Sequence, residues 1–153
     1  MSKRPAYGEG DWFCVPLRTG GFGLGLIARA TSSGILLGYF FGPRTWRQPN
    51  EDSFRGLTKT DAVLVARFGD LSLKQGEWLI IGKDTKWDRG EWPVPIFTRS
   101  EQLSGRTYQV FYGENELARP AEERLLADAS TDSPPDLLYG AGAVEKALTR
   151  LLS

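Results

Sequence analysis

The sequence contains no histidine, and that absence removes more chemistry than any other feature of its 153 residues. Ser–His–Asp and Cys–His catalysis, histidine general bases and histidine-ligated zinc or iron are excluded. A lone cysteine, Cys14, excludes an internal disulfide framework and an all-cysteine zinc site. It agrees with a reducing compartment. The start, Met1 to Pro5, is polar and leads into Gly8, Gly10 and Asp11 without the apolar run of a signal peptide. No stretch reaches the roughly 20 apolar residues of a membrane span. The expectation is a soluble, cytoplasmic chain with neither cofactor nor metal.

Net charge is missing as well. Lys+Arg and Asp+Glu stand at 19 each, so nothing global draws the chain to a polyanion. From Glu114 onward there are eight acids against four bases, which leaves eleven acids against fifteen bases in the first 113 residues. A local basic face is allowed by this polarity but not required. What is present is 41% hydrophobic residues, enough for one real core, with 18 glycines and nine prolines that suit short strands and many turns.

Asp11 to Leu17 is an apolar run of strand formers, Arg18-Thr19-Gly20-Gly21 is a turn, and Phe22 to Ala30 follows period two. The pair reads as a β-hairpin. Ile35 to Phe41, apolar on both faces, reads as a central buried strand. Gly42 to Lys59 reads as a long excursion around Trp46, Pro49 and Phe54, with one helical turn. Asp61 to Phe68 and Glu77 to Gly82 are further strands, joined to a polar loop, Lys83 to Pro93. Val94 to Arg99 and Thr107 to Tyr112 complete the sheet. Pro120 to Leu126 is expected to be a short helix, with proline in its first turn and acids at its start. Val144, Ala147, Leu148 and Leu151 form the stripe of an amphipathic helix, and exposure of that stripe would predict self-association. The expected class is α+β. The architecture is a strongly bent antiparallel sheet or SH3-like small barrel, with peripheral helices and a C-terminal amphipathic helix. Residues 1–116 form the β-rich unit, and 117–153 a helical extension packed on the same domain.

The motifs that could carry chemistry are thin. Gly23-Leu24-Gly25-Leu26-Ile27-Ala28 fits a loose dinucleotide pattern, but it lies inside a strand and no helix follows to face a pyrophosphate. Glycines there are expected to let a bulky side chain of a neighbouring strand approach the sheet. Gly82-Lys83-Asp84 lacks the Ser or Thr of a phosphate loop. Cys14, between Phe13 and Val15, reads as a small core residue. Trp12 and Trp78 read as core, whereas Trp46, Trp87 and Trp92 fall in polar loops among Arg44, Arg47 and other charges. Glu51, Asp52, Asp84, Asp88 and Glu91 share those loops. Trp and Arg are the residues of interface hot spots, and loops carry function more often than scaffolds do. Carboxylates beside aromatics also leave a glycosidase-like hydrolase open.

Gly10-Asp11-Trp12-Phe13-Cys14-Val15-Pro16-Leu17, followed by Gly20-Gly21-Phe22-Gly23-Leu24-Gly25, resembles the opening of the immunity protein 26 family. Gly76-Glu77-Trp78-Leu79-Ile80-Ile81-Gly82 is similar to that family's Gly-x-Trp-x-Ile-Ile-Gly strand. Pro95-Ile96-Phe97 and Tyr108 to Tyr112 resemble its last strands. The likeness spans residues 7 to 116, and the tail from Leu117 onward matches nothing in that family. Cys14 and Val15 stand where alanine and isoleucine are frequent. The resemblance implies a bacterial immunity protein that binds and occludes a cognate toxin, and is not an enzyme. The toxin-binding candidates are Arg44, Trp46, Arg47, Glu51, Asp52, Asp84, Trp87, Asp88, Glu91 and Trp92. The acids among them would suit a basic nuclease. The rival reading is a small-barrel nucleic-acid or peptide reader, with aromatics beside Arg44 and Arg47 stacking bases.

Overall fold

The computed structural model describes residues 7–127 and 133–153. Its centre is a six-stranded sheet built from β1 (Asp11–Pro16), β2 (Phe22–Ala30), β3 (Ile35–Thr45), β4 (Leu64–Gly69), β5 (Ile80–Lys83) and β9 (Leu138–Tyr139). The order across it is β5-β1-β2-β3-β4-β9, antiparallel except for the final pairing of β4 with β9. A second, three-stranded antiparallel sheet runs β6 (Phe97–Ser100), β7 (Thr107–Phe111), β8 (Glu122–Leu125). A four-residue helix, α1 (Leu71–Lys74), follows β4, and α2 (Ala141–Leu151) comes last.

Both faces of the large sheet are covered, which explains strands that are apolar throughout. Side chains alternate across a strand. Trp12, Leu24, Leu26, Leu37, Tyr39 and Phe41 therefore meet Phe97 and Val110 of the small sheet, together with Trp92 and Leu117. From the other face Phe13, Val15, Ile27, Leu36, Phe40 and Phe68 meet Leu73, Trp78, Val144 and Leu148. The result is small sheet, large sheet and helix in three layers. The α+β class holds, but the sheets do not close on themselves, so the SH3-like barrel is corrected to an open sheet packed on both sides.

Glycine placement follows from this packing. Gly25 sits opposite Phe13 in the β1–β2 register, and a Cβ there would lie 2.2 Å from Phe13 Cζ. Gly38 leaves similar room for Phe40 and Phe68, and Gly42 for Leu152 at the end of α2. The expectation that glycines admit bulky neighbours is met.

Some boundaries differ from the sequence reading. Residues 122–125 are a strand, not a helix, although Glu, Arg and Leu are good helix formers. Pairing with β7 wins, supported by Arg124 stacked 5.0 Å from the Phe111 ring. The expected strand from Asp61 begins at Leu64, because Lys59–Asp61 is a 3-10 turn capped by Thr58. The strand expected over Glu77 to Gly82 runs instead from Ile80 to Lys83, and Trp78 precedes it while staying in the core. The strand expected from Val94 starts at Phe97, past Pro93 and Pro95, whose missing N–H groups cannot join a ladder.

The stripe of α2 is turned inward rather than exposed at Val144 and Leu148, with Leu152 packed beside them. Leu151 faces outward at 51% exposure. The condition set for self-association is therefore not met by the two buried residues. Glu145 fixes the helix to the sheet: its carboxylate accepts from Trp78 Nε1 at 2.9 Å and from Arg18 Nε at 3.2 Å. Arg67 of β4, Asp136 and Tyr112 form a second clasp. Arg67 Nη2 and the Tyr112 hydroxyl both donate to Asp136, at 3.0 and 2.6 Å, and the guanidinium lies 4.3 Å from the Tyr112 ring. Among the described residues no helix is long and apolar enough to cross a membrane.

Candidate functional site

Two loops flank the β1–β5 side of the large sheet, and local capping gives each a definite shape. In the first, Asn50 and Ser53 form a capping box on the 3-10 turn Glu51–Phe54, and Thr58 and Asp61 form another on Lys59–Asp61. Gly82 of β5 lets the first turn settle on the strand, since a Cβ there would lie 2.9 Å from Glu51 Cγ and 3.0 Å from Phe54 Cζ. Phe54 then stacks on Trp12 with ring centroids 4.9 Å apart and planes 5° from parallel.

The second loop, residues 83–93, is pinned at three points. Trp87 Nε1 and the Arg89 guanidinium both donate to the Glu9 carboxylate, and Arg89 Nη2 also donates to Asn115 Oδ1 at 2.9 Å. The Glu9 carboxylate raises the Arg89 pKa further above its ordinary value. Gly10, at φ +91°, allows the Trp87 ring to lie over the chain. The Tyr39 hydroxyl donates to the Pro93 carbonyl, and burial pushes the Tyr39 pKa to about 12. Trp92 is 3% exposed and meets Trp12, Tyr39 and Phe41 edge-on. It is thus a core anchor of the loop rather than a surface contact.

Between the loops runs a cleft with two cavities that share Leu57. One, of about 240 Å³, lies among Trp12, Phe54, Glu51, Arg55, Lys83 and Asp84. The other, of about 370 Å³, lies among Leu57, Lys59, Thr60, Glu91 and Trp92. The rim alternates in sign. The side chains of Glu51 and Glu91 make no ion pair or hydrogen bond among the described residues, and neither do those of Lys59 and Lys83. Other loop acids are engaged within the loops: Asp84 accepts from Lys86 N and Asp88 from Gly90 N, while Asp52 pairs with the Arg55 side chain.

Of the ten residues singled out, Glu51, Asp84, Glu91 and Trp92 therefore line the cleft, whereas Asp52, Trp87 and Asp88 lie on the same two loops without lining either cavity. Arg44, Trp46 and Arg47 sit elsewhere. Trp46, 70% exposed, packs over Gly20 in the β1–β2 turn, with the Arg44 guanidinium 5.3 Å from its ring. Sequence reading missed Phe54, Arg55, Leu57 and Lys83 as cleft residues; the capping boxes beginning at Asn50 and Thr58 were the available signal for those turns. Among the described residues no three His, Cys, Asp or Glu side chains are grouped to hold a metal ion. Burial raises the Cys14 pKa, which fits a core thiol rather than a reactive one.

The family model of immunity protein 26 matches residues 8–109, about two thirds of the chain. The chain belongs to the immunity protein 26 family. Searches of curated proteins and of solved structures return no match. The matched span of this immunity-protein family runs from just before β1 into β7 and contains both loops of the cleft. The strand β8, the Asp136 and Tyr112 partners of Arg67, and α2 lie after it.

Proposed function

We propose that this immunity protein protects its cell by binding a cognate toxin domain directly and occluding it, without chemistry of its own. Membership of the immunity protein 26 family is the observation that carries this reading. The docking face is the cleft between residues 50–60 and 83–92, supported by the two capped, anchored loops that form its walls. Such preorganisation lowers the ordering cost of association. Trp46 with Arg44 and Arg47 forms a flank of the same reading, because an exposed tryptophan beside arginine is the composition of a hot spot. The free carboxylates of Glu51 and Glu91 favour a basic partner, and Lys59 and Lys83 between them favour an acidic one. The target surface is therefore a mixed-charge protein face. Its nuclease character rests on the acids alone.

The experiment is co-purification of the full chain with the toxin domain encoded beside its gene, repeated with Glu91→Arg and Lys59→Glu. A complex weakened at least tenfold by either rim change supports the cleft. A complex unchanged by both, and abolished by Trp46→Ala, moves the docking face to the β1–β2 turn. A chain that binds oligonucleotides in a salt-sensitive manner and no toxin overturns the reading.

A further inference from the structure

One end of the large sheet carries positive charge without a counter-charge. Between Asp11 and Glu51 the chain has no acid, and its only charged residues there are Arg18, Arg29, Arg44 and Arg47. Arg29 is buried and paired with Glu114. The other three stand at the β1–β2 turn, in the last residues of β3 and just beyond them. Arg18 shares Glu145 with the Trp78 N–H. Arg44 and Arg47 make no ion pair among the described residues, and the Arg47 side chain makes no hydrogen bond either. Arg44 Nη2 donates to Thr19 Oγ1 at 2.9 Å, while its Nε is sealed from solvent with no partner. Removing a cation from water without a counter-charge is costly. The same guanidinium lies 5.3 Å from the centroid of Trp46, a ring that is 70% exposed and is seated on Gly20.

We infer that this face receives an acidic segment of the toxin's surface, whose carboxylates pair with Arg44 and Arg47 while an apolar side chain lies against Trp46. A carboxylate beside Arg44 supplies the counter-charge that the fold withholds, and a guanidinium is the cation that binds it in bidentate fashion. Thr19 and Gly20 hold the Arg44–Trp46 pair in place, which lowers the ordering cost of association. The face also adjoins the cleft. Arg47 precedes Glu51 by four residues, which span at most about 14 Å of chain. A nucleic-acid strand fits less well. Totals of 19 acids and 19 bases give no general attraction to a polyanion. Strand readers stack successive bases on several aromatics, whereas Trp46 is the one exposed tryptophan among the described residues and already carries a guanidinium. The inference rests on the toxin-binding reading and adds the charge of the partner's surface at this point.

Association of the full chain with the toxin domain encoded beside its gene would be followed by stopped flow across a range of salt concentrations. The chains compared are the unaltered protein, Arg47→Glu, Arg47→Lys and Arg44→Gln. Arg47 is exposed and its side chain has no partner, so its variants keep the fold. Arg47→Glu is expected to slow association about tenfold at low salt and to flatten the salt dependence, because rim charges act mainly on the on-rate. Arg47→Lys should retain the rate, and Arg44→Gln should slow it in the same sense as Arg47→Glu. An on-rate unchanged by Arg47→Glu at every salt concentration overturns the inference and leaves toxin binding standing. No complex with the unaltered chain overturns both. A second arm needs no toxin: the ¹⁵N-labelled indole signals of the chain alone are titrated at low salt with polyglutamate and with oligothymidylate of equal charge, Trp46→Phe assigning the peak. Polyglutamate is expected to move the Trp46 signal and leave Trp78 fixed, and the shift should vanish in Arg44→Gln/Arg47→Glu. An unmoved Trp46 signal overturns the inference. A larger shift with oligothymidylate also overturns it, making the face a nucleic-acid reader. Self-association of the chain in sedimentation that Arg47→Glu abolishes would make the face an interface between copies, and would overturn it equally.

Discussion

Gly25→Ala tests the packing on which the whole sheet depends. A Cβ at this position would stand 2.2 Å from Phe13 Cζ, 2.4 Å from Cε2 and 2.9 Å from Cε1. The Phe13 ring has nowhere to retreat. It stacks on Trp78 at 5.5 Å and 4°, and it is bounded by Phe40 and Phe68, each at 5.9 Å. Overpacking a closed core costs about 1–3 kcal/mol, and an enclosed ring places this change at the upper end, about 3 kcal/mol. Against a total stability of roughly 5–15 kcal/mol, that is a large fraction. Urea denaturation followed by tryptophan fluorescence should show a lower midpoint at unchanged slope. Gly69→Ala, where a Cβ meets nothing within 4 Å, is the control and should be neutral or slightly stabilising. Phe13→Leu should rescue part of the loss, so that the double variant is less destabilised than the sum of the singles. A loss below about 0.5 kcal/mol for Gly25→Ala, or strict additivity with Phe13→Leu, would refute the packing argument.

Asp136→Ala leaves the Arg67 guanidinium in a site where its side chain is only 7% exposed, and should cost about 3–5 kcal/mol in the same urea assay, with Arg67→Met/Asp136→Leu milder than the single change. Glu145→Ala strands the Trp78 N–H and should cost about 1–3 kcal/mol, with faster amide exchange in α2 than elsewhere. Tyr39, with its pKa raised from 10.0 to about 12, stays protonated in the fold after the unfolded chain has begun to ionise. Its contribution is complete below pH 10 and is lost as pH rises toward 12, so thermal melts should fall across that window and fall less in Tyr39→Phe.

The hairpin of β1 and β2 and the central position of β3 were legible in the sequence, because period-two and fully apolar runs report burial directly. Residues 122–125 were not, since Glu-Glu-Arg-Leu has helical preference and only the distant partner β7 overrides it. Openness of the sheets was equally hidden: closure depends on edge pairing, which no local pattern encodes. At the candidate site, the polar loops announced a surface. Their aromatics, however, divide by tertiary contact. Trp92 enters the core against Tyr39 and Phe41, Trp87 folds onto Glu9, and Trp46 alone of the three stays largely exposed. Loop acids that looked available for a partner turned out in several cases to serve their own backbone, as Asp84 and Asp88 do. Short polar side chains in turns commonly bond their own backbone in this way, and composition alone does not separate that use from docking.

The account stands or falls on direct, stoichiometric occlusion. The measurement that addresses it is titration of the neighbouring toxin domain's activity with the purified full chain, alongside survival of cells co-expressing the two. The account predicts complete inhibition at one equivalent, a stable complex of the same stoichiometry, and loss of both in a variant carrying Lys59→Glu and Glu91→Arg together. Rescue of the cells with no complex detectable at any ratio would contradict it.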